Sequence, residues 1–166
     1  MYKNRDENYP LYEVRNLYSL RQLVDENAVM FAEKPAFKYK VGKEVVSVTY
    51  SEFKTQVDAL GNALCELGYD DTHIAIIGVN SFEWVRSYFA ALNLKGAVVP
   101  VDKDLTHDET EYIINTSEAK VIFHSGKAVS KKLNELEPKL QNVELFICFD
   151  EPEVKDEKHI FVGDLM

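Results

Sequence analysis

Three short segments carry most of the residues that could do chemistry, and each follows directly on an apolar run. They are Gly78-Val79-Asn80-Ser81, Val101-Asp102-Lys103 and His124-Ser125-Gly126-Lys127. Small and hydroxyl residues just past a strand leave backbone N–H groups open at the start of the next helix, where an anion is favoured. Together they could form a rim for a phosphate or a substrate. The same residues also serve as a tight turn (Gly78) and as ordinary helix caps (Asn80, Ser81, Ser125), and spacing by itself favours that plainer role. Lys127, Lys131 and Lys132 form a basic cluster on the first turns of a helix. A solvated helix face accounts for it, although cations near a helix N-terminus oppose the macrodipole and so want a reason.

Dedicated catalytic motifs are missing. Gly78 stands alone after its strand, so there is no GxGxxG dinucleotide fingerprint, and Gly126-Lys127 lacks the preceding glycine and following Ser/Thr of a P-loop. Neither GxSxG nor HExxH occurs. His73, His107, His124 and His159 have no partner at metal-ligand spacing and read as structural or solvated. His124, at a strand end, could act as a general base, but no nucleophile accompanies it. Asp70-Asp71 falls in a helix-to-strand turn, where Asp has an ordinary capping role, and Asp102/Asp104 is the other candidate carboxylate pair. Trp84, Tyr88 and Phe89 fit a core or an interface better than a stacking platform.

The elements that must position these residues have a rhythm. Apolar runs begin at Ile74, Ala97, Lys120 and Val143, each 23 residues after the last. No leucine-rich or tetratricopeptide pattern accompanies the period, which sets aside a solenoid. The intervals are helical. Ser81 caps a helix carrying Phe82, Val85, Phe89 and Leu92, with Gly96 placed to stop it. Thr106 and Glu109 form a capping box, and Lys127 to Leu140 carries Val129, Leu133, Leu136 and Leu140. The strands are apolar throughout, as parallel strands covered on both faces must be. The fold class is therefore α/β: a doubly wound, mainly parallel sheet flanked by helices. Before residue 73 the pattern changes to a helix over Leu20–Phe31 behind Ser19, then a β-hairpin over 36–50 turning at Gly42-Lys43-Glu44. A helix capped by Ser51 and ended by Gly68 follows. The expected division is thus residues 1–72 (helix, hairpin, helix), 73–149 (strand–helix units) and 150–166, a charged, linker-like tail.

Composition narrows the function classes. The 166 residues are 46% hydrophobic and 28% charged, enough for one domain with a real core. Nineteen Lys+Arg against 28 Asp+Glu leave a net charge of −9, whose field repels phosphate, so general nucleic-acid or anionic-membrane binding is not expected, a local basic patch apart. Cys65 and Cys148 lie 83 positions apart with no CxxC, which excludes a disulfide scaffold or zinc module and suits a reducing cytoplasm. The opening MYKNRDENYP has no apolar core of a signal peptide, and no run approaches a membrane span.

A set of strings then goes beyond spacing: KPAFKYK (34–40), VTYSEF (48–53), DALGNALCELG (58–68), HIAIIGVNSFEW (73–84), LKGAVVPVDKDL (94–105) and YIINTSEAKVIFHSGK (112–127). In combination they resemble the N-terminal region of AMP-forming acyl-CoA synthetases of the adenylate-forming superfamily, and VPVDKDL is most similar to the long-chain fatty-acid–CoA ligases. Phe82 departs from the proline or other residue common there, which should leave the helix start undisturbed. The resemblance implies a parent enzyme that activates a fatty acid with ATP and Mg²⁺ to an acyl-adenylate and passes the acyl group to coenzyme A. It implies equally that the Ser/Thr/Gly-rich phosphate loop, the later nucleotide motifs and the catalytic lysine lie outside this stretch, so no catalytic and no metal-binding residue is expected in it. By the same resemblance, Lys127 and Lys131 are candidates to contact the nucleotide portion of CoA. Expected partners are the remainder of the synthetase, the fatty acid and CoA, with membrane contact only through the whole enzyme and with self-association of the isolated piece. Two other classes stay open: a self-sufficient module binding a phosphorylated small molecule, and a non-catalytic interaction protein on the same scaffold.

Overall fold

The computed structural model describes residues 15–152 and 155–166; the polar opening stretch considered for a signal sequence lies outside them. Helix α1 (Leu20–Met30) starts at Ser19, whose side chain accepts from Gln22 N. Strands β1 (Pro35–Val41) and β2 (Glu44–Thr49) pair antiparallel as a separate two-stranded sheet. Gly42, at φ +61°, makes the tight turn between them.

Helix α2 (Tyr50–Glu66) begins two residues earlier than the Ser51 cap expected from sequence. Strand β2 runs straight into it, and Thr49 with Glu52 forms a reciprocal capping box that places Ser51 inside the first turn. Its end is as expected: Gly68, at φ +85°, follows the Leu67 cap, and Tyr69 N bonds back to Leu64 O.

The main sheet has five parallel strands: β3 (Ile74–Ile77), β4 (Val98–Val101), β5 (Val121–His124), β6 (Leu145–Cys148) and β7 (His159–Phe161). Their spatial order is β4-β3-β5-β6-β7. The chain steps outward from β3 to β4, crosses back to the other side of β3, and then proceeds steadily through β5, β6 and β7. Helices α3 (Phe82–Leu92), α4 (His107–Thr116) and α5 (Lys127–Leu136) make the connections. One face of the sheet packs Ile74, Ile76, Val121 and Phe123 against Leu60 and Leu64 of α2 and Ala90 and Ala91 of α3. The other packs Ala75, Ile77 and Ile122 against Ile114 of α4 and Val129, Leu133 and Leu136 of α5. Strands wholly buried on both faces explain their unbroken apolar composition.

One local expectation is extended and two are corrected. On α3, Phe82, Val85 and Phe89 share one face as expected, in a cluster with Val24, Val48, Phe53 and Val57 under the hairpin and α1, while Ala90 and Ala91 pack on the sheet with Trp84 and Tyr88 beside them. The helix is thus buried on two sides, of which the expected stripe is one. Gly96 does not stop α3, whose cap is Asn93; instead a Cβ at Gly96 would lie 1.8 Å from the Thr72 carbonyl oxygen, so glycine is required by a backbone crossing. Finally, the tail beyond residue 150 is not a linker throughout. β7 joins the sheet edge in parallel with β6, and Val162 in the following 3₁₀ turn is buried.

Candidate functional site

In a sheet of this order the connections leaving β3 and β5 diverge to opposite faces, and the crevice between those two strand ends is where open α/β sheets hold ligands. The register aligns the ends: Ile77 pairs with Val101 on one side and His124 on the other, and His124 pairs with Cys148. All three sequence-nominated segments therefore converge on one rim.

The crevice itself is closed. Ser125 Oγ accepts from Val79 N at 3.3 Å, and a Cβ at Gly78 would stand 2.4 Å from that same Oγ. Gly78 is glycine because Ser125 occupies the space a Cβ there would need. Ser81 caps α3 through Trp84 N, and Asp102 accepts from Asp104 N in a local turn. On these three points the plainer, structural role holds.

Beside the crevice, a buried polar cluster anchors the start of α5. His124 is 6% exposed, and its Nδ1 lies 3.2 Å from Ser130 Oγ. Burial, aided by the nearby His159 and opposed by Asp150, pushes the His124 imidazole down to about 4, so it is neutral near pH 7. Burial likewise raises the Cys148 thiol, which makes it a poor nucleophile. Asp150 accepts from Gly126 N at 3.0 Å, at the end of a helix that has no side-chain cap of its own. Spacing could not show this, because 24 residues separate the two partners.

The lysine cluster splits. Lys132 turns inward and donates to the carbonyls of Lys103 (3.0 Å) and Leu105 (2.5 Å), tying the β4–α4 loop to α5. Lys127 and Lys131 stay exposed. Lys131 is 3.9 Å from Glu135, and Lys127 makes no ion pair among the described residues. The other candidates are structural: His73 Nδ1 lies 2.6 Å from Ser117 O, His107 reaches Glu135, and Asp70 pairs with Lys95. Trp84 and Tyr88 stack on each other, half-buried. Among the described residues no group of three or more His, Cys, Asp or Glu side chains is arranged to hold a metal ion.

A family model described as "AMP-binding enzyme" matches residues 24–163. The chain belongs to this family. Long chain acyl-CoA synthetase 4 of Arabidopsis thaliana is 36% identical over 107 residues, covering 63% of this chain and 16% of that protein. Tyrocidine synthase 1 of Brevibacillus parabrevis is 28% identical over 119 residues, 71% of this chain and 10% of that one. Among solved structures, the anthranilate CoA ligase AuaEII in complex with anthranoyl-AMP superposes with a TM-score of 0.76 at 22% identity, over 95% of this chain and 28% of the other. Coronafacic acid ligase from Pectobacterium brasiliense gives 0.76 at 17% identity, over 87% and 28%. This adenylate-forming member spans under a quarter of the length of the curated relatives it matches.

Proposed function

We propose that these 166 residues are the scaffold part of an AMP-forming fatty-acid–CoA ligase, working in the cytoplasm, and that they do not adenylate by themselves. The observation that carries this reading is the closed switch-point crevice in a chain whose fold is otherwise that of the family. Adenylyl transfer depends on positioned phosphate and metal contacts. Here Ser125 stands against Gly78 at the strand ends, and among the described residues no group of three or more His, Cys, Asp or Glu side chains fits Mg²⁺. ATP and Mg²⁺ are assigned to the rest of the enzyme, and no step is routed through them here.

CoA is different. Lys127 and Lys131 project from the first turns of a helix that Asp150, Ser130 and His124 hold to the strand ends. Two exposed cations on a fixed turn suit the phosphates of a nucleotide, with the modest, salt-sensitive strength of surface charges. Acyl-CoA formation is the direct test. In the chain extended to its relatives' length, palmitate and oleate should support it, and free amino acids should not. Activation of amino acids in place of fatty acids would overturn the acid class. In the same protein, Lys127→Ala with Lys131→Ala should raise KM for CoA and leave acid-dependent ATP–pyrophosphate exchange unchanged. An unchanged KM would refute the lysine assignment.

A further inference from the structure

Helix α5 starts differently from the helices before it. Ser19, Thr49, Ser81 and Thr106 each close the first turn of their own helix, the side-chain oxygen accepting from the backbone N–H three residues on. At the same position α5 has Gly126, at φ +86° and with no side chain to offer. Yet this is the helix whose first turns present Lys127 and Lys131 to solvent, two cations that oppose the macrodipole there. Its start needs a partner from elsewhere in the chain.

Asp150 is that partner. Its Oδ2 accepts from Gly126 N at 3.0 Å, a charge-assisted bond at the end of the helix that favours an anion. The sheet fixes where Asp150 stands. Phe149 N donates to His124 O at 2.8 Å, which carries the β5–β6 pairing one residue past β6, and the buried Phe149 ring stacks on Phe123. The next residue therefore leaves from a fixed point. From the α5 side, Ser130 N bonds back to Gly126 O at 3.0 Å, so Gly126 is gripped at both its N–H and its carbonyl. Lys127 follows directly on that gripped residue, and Lys131 lies about one turn later on the same side.

We propose that Asp150 is a positioning residue for CoA: by holding the Gly126 N–H it fixes the direction in which α5 presents Lys127 and Lys131 to the phosphates. This rests on the lysine assignment above. The hydrogen bond and the charge of Asp150 act with opposite sign, because the bond orders the turn while the carboxylate repels a phosphate. Asparagine keeps an acceptor oxygen without the charge, and alanine keeps neither. In the 166-residue chain, Asp150→Ala should speed hydrogen exchange of the Gly126 amide about tenfold, and Asp150→Asn far less. In the chain extended to its relatives' length, Asp150→Ala should raise KM for CoA about threefold, with kcat and acid-dependent ATP–pyrophosphate exchange unchanged. Asp150→Asn should leave that KM unchanged or lower it. In a protein already carrying Lys127→Ala and Lys131→Ala, Asp150→Ala should add nothing. If the two lysine changes leave KM for CoA unchanged, the lysine assignment fails and takes this inference with it. If they raise it and Asp150→Ala does not, the positioning role alone is overturned. Equal increases from Asp150→Asn and Asp150→Ala, or an undiminished Asp150→Ala effect without the lysines, overturn it as well.

Discussion

Replacing His124 with Gln should remove a specific acid sensitivity from this fold. The imidazole is buried at the end of β5 and titrates at about 4 in the native state, against 6.5 when exposed in the unfolded chain. Between those two values the unfolded chain binds the extra proton and the folded chain does not, so stability rises with pH across that window and falls as acid is added. A displacement of this size corresponds to about 3 kcal/mol, at roughly 1.4 kcal/mol per pH unit. Wild type should therefore lose about 3 kcal/mol more than His124→Gln between neutral pH and about pH 4, on the order of 10 °C in Tm. Carboxylates that titrate in the same range are common to both proteins and cancel in the difference. Urea unfolding followed by circular dichroism at a series of pH values gives both slopes. Parallel slopes, or an imidazole resonance with its midpoint near 6.5 in the folded protein, would refute the claim that His124 is held neutral under α5.

Gly96→Ala should destabilise the fold by more than about 2 kcal/mol, because its Cβ would meet the Thr72 backbone at 1.8 Å. Gly61→Ala, whose Cβ would sit at an ordinary 3.6 Å from Ala90 O within α2, should be neutral or stabilising in the same urea titration. Thr106→Ala should cost about 0.5–2 kcal/mol and Glu109→Ala less, with the two losses not adding, since each side chain serves the other's backbone N–H; full additivity in a double-mutant cycle would contradict the box. The outer edge of β4 has no partner strand among the described residues, so light scattering at micromolar concentration should find self-association of the isolated chain, and a clean monomer that binds no hydrophobic dye would count against it.

Much of the fold was legible because local chemistry and tertiary context agree. Ser19, Ser81 and Thr106 cap the helices they were expected to cap, and the evenly spaced apolar runs are the strands. The misses share a cause. Gly96 faces Thr72, and Ala90 and Ala91 pack on the sheet; small residues reveal their role only through what lies against them. The tail looked like a linker because β7 is three residues long and enters the sheet beside a strand already placed. At the rim, residue types showed where the strand ends were, but nothing in the sequence put Ser125 into the crevice, Asp150 on Gly126 or Lys132 on the Lys103 carbonyl. Those contacts depend on the order β4-β3-β5-β6, which brings together residues 24 to 46 positions apart.

The central claim is that this member of the AMP-binding family supplies scaffold and not the adenylation centre, and ATP–pyrophosphate exchange tests it most directly. With palmitate, ATP and Mg²⁺, the purified 166-residue chain should exchange no more label than a buffer control, while the chain extended to its relatives' length should exchange readily. Clear exchange by the 166 residues alone would contradict the account, because the closed crevice beside Ser125 would then have to open and hold the phosphates itself.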